Sequence, residues 1–211
     1  MKGTKFLIVA GFALSMVILA NHGGAALVTS LPGGTVIPMP YGVYFGPGPI
    51  TFGPAITWSS TNAVHGGIGG IGDGSVFGSK GNYGFGPNGC WDGFGPFAAL
   101  NDAYISYNVT DTMTFAFSTP VSAVGGFMNY APDGNTPTII AVYDAGNNLI
   151  ESAELTFLTG GGTNTGFFYG FQETSNTISY FRLTDNCIGI TNLTTKVIPN
   201  AIAPIMLLLL E

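Results

Sequence analysis

Charge is the scarcest feature of this sequence. Only 8% of its 211 residues are charged, and lysine and arginine together number five against eleven acids. A chain so short of bases has no footprint for nucleic acid or anionic lipid. Histidine is nearly missing as well, with two in the chain. An enzyme needs a placed acid, base or nucleophile. His65 lies in a glycine-rich stretch with no acid beside it, and no nucleophile-elbow motif occurs. A Ser-His-Asp set scattered through the chain stays open as an alternative. Glu151 and Glu154 stand three apart in a strand-like run, on opposite faces, so they cannot form the paired carboxylates of a glycosidase. Cysteine is limited to Cys90 and Cys187, with no C-x-x-C pair, which excludes the usual zinc frameworks. Helical periodicity is missing from every window of eleven or more residues between Thr112 and Leu193.

Alternation is what takes its place. Met113, Phe115 and Phe117 alternate with Thr112, Thr114, Ala116 and Ser118, a strand with one apolar face and one polar or small face. Pro120 is expected to end that run, because it cannot donate to a ladder. Val121 to Tyr130 follows, with a bulge or close backbone approach expected at Gly125 and Gly126. Thr138 to Tyr143 suits a central strand, and Asp144 to Asn148 a hairpin loop with Gly and Asn available for positive φ. Phe167 to Phe171, Ile178 to Leu183 and Cys187 to Leu193 supply three more strands. Regularly spaced short strands closed by turn signals predict an all-β, antiparallel β-sandwich of jelly-roll type. Its expected core holds Met113, Phe115, Phe117, Val142, Leu155, Phe157, Phe181 and Ile190.

The first half has a different texture. Glycine numbers 33 in the chain, and Gly66 to Gly74 reads GGIGGIGDG. That run is no dinucleotide fingerprint, since it lacks the flanking strand and helix of a βαβ unit. Leu27 to Leu100 reads as a few edge strands at Gly42–Phe45, Ile56–Ser59 and Ser75–Phe77, separated by long loops. Its many aromatics are expected to pack over one end of the sandwich. Tyr104 to Val109 resumes alternation before the core stretch.

Residues 1–26 have the form of a secretory signal. Lys2 and Lys5 precede the apolar run Phe6 to Ala20, and Gly24 and Ala26 are small residues at −3 and −1 for cleavage after Ala26. The alternative is an uncleaved anchor, for which the run is short against the ~20 residues of a span. The expected layout is a leader at 1–26, a single β-sandwich domain at 27–196 and a short apolar tail at 197–211. Export implies a protein outside the cytoplasm: extracellular, on the cell surface or in the periplasm. The chain from residue 27 keeps Lys80, Arg182 and Lys196 against eleven acids, a net charge of −8.

Outside the cytoplasm two cysteines read as one disulfide, Cys90–Cys187, with two buried thiols as the alternative. Closing a loop of ~100 residues contributes roughly 4–5 kcal/mol in the chain-entropy model. Such a bond needs Cα atoms about 4.4–6.8 Å apart, so it would draw Asp92 and Asp185 together at one rim. Two close carboxylates repel unless protonated or bridged by a cation. Asp92 and Asp185 are therefore the candidate Ca²⁺ ligands, with Asn186 beside them and Trp91 as a wall. No motif requires a cofactor, and calcium is the ion that carboxylate, amide and carbonyl oxygens on loops suit. Trp58, Trp91 and Tyr83 also offer flat faces for stacking on a sugar; core or rim packing is the other reading of them.

Several phrases stand out together. They are Gly84-Phe85-Gly86-Pro87-Asn88-Gly89-Cys90-Trp91-Asp92-Gly93, the run Thr114 to Phe127, Tyr180-Phe181-Arg182-Leu183-Thr184-Asp185, and Ile188-Gly189-Ile190-Thr191-Asn192-Leu193. They resemble bacterial exosortase-associated surface proteins of the PEP-CTERM type, over about Gly42 to Thr195. The resemblance implies a leader, a β-sandwich ectodomain and a C-terminal sorting tail. The tail here departs from that pattern. Asn200 stands at the Glu place and Ala201 at the second Pro, and Ile202 to Leu210 contains Pro204 and ends in Glu211 without a basic cluster. The sorting signal is degenerate or truncated, or the segment is a last strand or a loose apolar end, so no firm membrane anchor is expected after the leader is cut. The function expected is a non-enzymatic surface or matrix protein that adheres or binds glycan, its partners extracellular polysaccharide or other surface proteins. A secreted polysaccharide hydrolase is the alternative.

Overall fold

The computed structural model describes residues 25–42, 44–62, 74–79, 83–84, 90–91, 96–101, 110–130, 137–157, 166–185 and 187–199. At Ser79, Tyr83, Gly84, Cys90, Trp91 and Asn101 it describes the backbone alone. The described residues form strands, turns and bends and contain no helix. None of them makes a helix long and apolar enough to cross a membrane. The first half contributes β1 (Ala26–Val28), β2 (Thr35–Val36), β3 (Tyr44–Phe45), β4 (Ile50–Phe52), β5 (Ile56–Ser60), β6 (Gly74–Ser79), β7 (Tyr83–Gly84), β8 (Cys90–Trp91) and β9 (Phe97–Asn101). The second contributes β10 (Asp111–Val121), β11 (Ala123–Tyr130), β12 (Ile139–Tyr143), β13 (Leu149–Glu154), β14 (Phe167–Gln172), β15 (Ile178–Asp185) and β16 (Cys187–Lys196).

Two antiparallel sheets pack as a sandwich. The first runs β1-β14-β11-β16-β9-β6-β3, with β2 also on β16; the second runs β13-β12-β15-β10-β5-β4. β7 and β8 form a separate two-stranded ribbon. Pairing in the last eight strands is nested: β9 with β16, β10 with β15, β11 with β14 and β12 with β13. The chain therefore crosses between the sheets at most connections from β9 onward, with the β12–β13 hairpin as the exception.

The alternation along β10 decides which side faces the partner sheet. Met113, Phe115 and Phe117 are buried, while Thr112, Thr114 and Ala116 between them are partly exposed. Phe181 and Leu183 of β15, Ile140 and Val142 of β12 and Ile188 and Ile190 of β16 join them in one continuous core with Leu155. Phe157 packs against that core and is partly buried. At about 25 cal/mol per Å² of apolar surface removed from water, this layer supplies the main force holding the sheets together.

The strands of the first half are not confined to the edges. β9 lies between β16 and β6, β6 between β9 and β3, and β5 between β10 and β4. Phe52, Trp58 and Phe77 belong to the central core and not to a cap over one end. The Phe77 ring lies 5.0 Å from Phe52 and 5.3 Å from Trp58. β9 is hard to read because its Phe-Ala-Ala-Leu carries two alanines, a residue depleted in strands. Small side chains suit it here, since Ala98 and Ala99 are wholly buried, one on each face. The expected strand at Tyr104–Val109 lies outside the described residues. Pro120 does not end β10, which runs to Val121; the register with β15 shifts between Ala116 and Val121, and an irregular stretch tolerates a missing N–H.

Residues 25–39 strap one end of the first sheet. β1 pairs with β14, and β2 pairs with β16 on the other side of β11. Ile37 N–H donates to Leu193 O at 2.7 Å, and Lys196 Nζ to Pro32 O at 3.2 Å. Ala25 is buried in the main core, and Ala26 opens β1.

Close backbone approach occurs where Gly125 and Gly126 predicted it. The β11–β16 register shifts between Gly125 and Phe127. Gly125 pairs with Gly170, and a Cβ on Gly170 would stand 2.3 Å from Val124 O and 2.6 Å from Gly125 Cα. Both clashes are with backbone, which cannot step aside as a side chain can. Gly170→Ala should cost about 1–3 kcal/mol of stability, whereas Gly42→Ala, with nothing within 4 Å of the new Cβ, should leave the urea midpoint unchanged. Equal midpoints for the two variants would refute this account of the first sheet.

Candidate functional site

Most of the expected rim site lies outside the described residues. Tyr83 and Trp91 are directly opposed in the β7–β8 ribbon. Asp92 and Asn186 lie outside the described residues, as do the side chains of Cys90, Trp91 and Tyr83. Cys187 is buried at the start of β16, opposite Asn101 of β9, and no disulfide is seen among the described residues. Among them no cluster of three or more metal-ligating side chains occurs either. Trp58 is fully buried in the core, so its indole faces pack against protein and offer no stacking wall to solvent. Its Nε1 finds no acceptor among the described residues.

Asp185 is wholly buried. Its Oδ2 accepts from the Thr138 hydroxyl, and its Oδ1 from the Cys187 amide at 3.4 Å. Its directly opposed residue on β10 is Asp111, which accepts a 2.6 Å hydrogen bond from Thr61 Oγ1. Like charges directly opposite destabilise a strand pair, and here each carboxylate has its own donors. The network extends to the first sheet through Tyr130, at the end of β11. The Tyr130 hydroxyl shares its proton between Phe157 O at 2.7 Å and Leu155 O at 2.9 Å. Leu155 N–H in turn donates to Thr138 O at 2.9 Å. Burial pushes the Tyr130 phenol up from 10.0 to about 12, helped by the negative charge of Asp185 and by Tyr169 and Glu154. These contacts staple the ends of five strands at one end of the sandwich.

The outward side of the second sheet is the other polar surface. Register sets its side chains in rows across the strands. One row runs Thr51, Thr57, Ala116, Tyr180, Tyr143 and Leu149. The next runs Ser59, Thr114, Arg182, Ala141 and Ser152. In a third, the Thr112 and Thr184 hydroxyls are 2.9 Å apart. The inward residues that alternate with these are core, so the face is held by a rigid scaffold. Arg182 lies 4.1 Å from the Tyr143 ring centroid and 5.6 Å from that of Tyr180. One guanidinium nitrogen, Nη2, donates to Asn147 Oδ1. Asn147 adopts φ +64° in the β12–β13 turn, closed by its own N–H to Asp144 O at 3.0 Å. That conformation is one asparagine tolerates better than most residues.

Nothing in the sequence alone singled out Arg182, Tyr143 and Tyr180 as a group. The available signal was that Arg182 is the only arginine and stands at an outward position of the alternating run Tyr180 to Thr184. Its partner Tyr143 is remote in sequence, so the pair exists only through the β12–β15 register. No protein-family model matches the chain, and neither a curated protein nor a solved structure matches it.

Tyr130 gives a pH dependence with a definite sign. Its folded value lies above its unfolded one, so the stabilisation is complete below pH 10 and is lost as the pH rises towards 12. A tyrosinate there would face two carbonyl oxygens with no proton to share. Tyr130→Phe should cost about 1–3 kcal/mol at pH 8 and flatten the fall of the urea midpoint between pH 10 and 12. An unchanged alkaline slope in the variant would show that another group carries it.

Proposed function

We propose that this chain is an exported, non-enzymatic protein of the cell surface or extracellular matrix that binds glycan on the outward face of its second sheet. The observation that carries the reading is the pairing of two tyrosines with rows of hydroxyls on that face. Tyr143 and Tyr180 stand side by side in register, on the same face as Thr57, Ser59, Thr112, Thr114 and Thr184. Aromatic rings supply flat area for a pyranose ring, and hydroxyls supply donors and acceptors for its oxygens. Few charged side chains interrupt the rows, which suits a ligand that is mostly hydroxyl. A jelly-roll description of the sandwich belongs to the same proposal. It is supported by the nested pairing of β9 to β16, which is the wrapping of one long antiparallel ribbon around a barrel. Fold alone does not assign function, so the reading rests on the face and not on the topology.

The test is affinity electrophoresis through gels holding single polysaccharides, with the same sugars incubated for release of reducing ends. Retardation without turnover is expected. Tyr180→Ala should weaken retardation about two- to tenfold, the loss of one aromatic contact. Release of reducing ends that stops when one carboxylate is neutralised would overturn the proposal in favour of a secreted hydrolase.

A further inference from the structure

We infer that Arg182 is the recognition centre for a carboxylate, so that the glycan taken by this face is an acidic one, built with uronic acid units. The inference rests on the glycan-binding proposal above and goes one step further, to the class of saccharide. Arg182 is the only arginine in a chain with eleven acids, yet among the described residues it makes no ion pair. Its contacts are Asn147 Oδ1 and the rings of Tyr143 and Tyr180. A guanidinium carries five N–H donors in a fixed fork, and the bond to Asn147 uses one. The others are left on a partly exposed group in the third strand of six.

Two features prepare that fork for an anion. Stacking on Tyr143 and the bond to Asn147 hold the side chain in place, so less rotamer entropy is lost when a ligand arrives. The residues beside it in register are small or hydroxylic: Ala141 on one strand and Thr114 on the other. Ala141, itself buried, brings no polar group to compete for the fork, and Thr114 offers a hydroxyl at the distance of one strand. A planar carboxylate fits a guanidinium through two parallel hydrogen bonds. A sugar bearing that carboxylate would set its ring hydroxyls against the threonines. The net charge of −8 from residue 27 onward opposes a long polyanion at range, but screening over about 8 Å at physiological salt leaves the local contact to decide.

The experiment is calorimetry on the full protein as its cells produce it, at 0.15 M salt, with three short probes: trigalacturonate, its methyl ester and neutral maltotriose. Trigalacturonate should bind about ten- to a hundredfold tighter than its ester. Arg182→Gln should bring the acid down to the level of the ester, and Arg182→Lys should keep only part of the preference. Asn147→Gly preserves the turn but releases the guanidinium, so it should weaken the acid several-fold and leave the ester unchanged. It also serves if Arg182→Gln fails to fold, which the melting temperature of each variant reports. Equal affinity for acid and ester would overturn carboxylate recognition while leaving glycan binding in place. An acid preference that survives both substitutions would remove Arg182 from the site. Failure of all three probes to bind would overturn this inference and the proposal beneath it together.

Discussion

The pleat of β10 imposes the constraint on which the rest of the protein depends. Successive side chains leave a strand on opposite faces, so Met113, Phe115 and Phe117 can enter the core only if Thr112, Thr114 and Ala116 face outward. β15 obeys the same rule, with Phe181 and Leu183 inward and Tyr180, Arg182 and Thr184 outward. The force that closes the sandwich and the surface that meets its surroundings are therefore two readings of one alternation. A one-residue slip of β10 against β15 would exchange them, placing threonine in the core and phenylalanine in water.

The two sheets are held differently at their ends. At one end the N-terminal strap lays β1 and β2 on opposite sides of β11 and buries Ala25, Ile37 and Met39. At another point Tyr130 and Asp185 join the ends of β11, β13, β15 and β16 to the start of β12 with buried hydrogen bonds. Buried polar groups stabilise only when they are paired. Most of these contacts join residues far apart in the chain, such as Lys196 with Pro32, Thr138 with Asp185 and Tyr130 with Leu155.

Glycine has a packing purpose in the first sheet. Gly125 and Gly170 sit opposite one another, and Phe168 lies close over Gly125, its Cζ 2.8 Å from where a Cβ would stand. Phe168 also meets Phe127 edge to face at 5.6 Å. Aromatic cover of a strand glycine restores packing that the missing side chain forfeits. The glycine content that suggested loops therefore also serves close contact within strands.

Local pattern was enough to determine the all-β character, the presence of the strands from β10 to β16 though not the end of β10, which runs past Pro120, the close approach at Gly125 and Gly126 and the turn at Asp144 to Asn148. Each of these depends on residues adjacent in the chain: two-residue alternation, a missing Cβ, or turn chemistry. The first half was less legible, because its strands are short, broken by glycine and, in β9, made of alanine. Tertiary structure alone decided that Trp58 is core, that Asp185 is buried opposite Asp111, and that Arg182 stacks on Tyr143. These outcomes depend on which strand lies beside which and in what register. Register is set by the summed burial of whole strands, and no single residue or short motif carries that information.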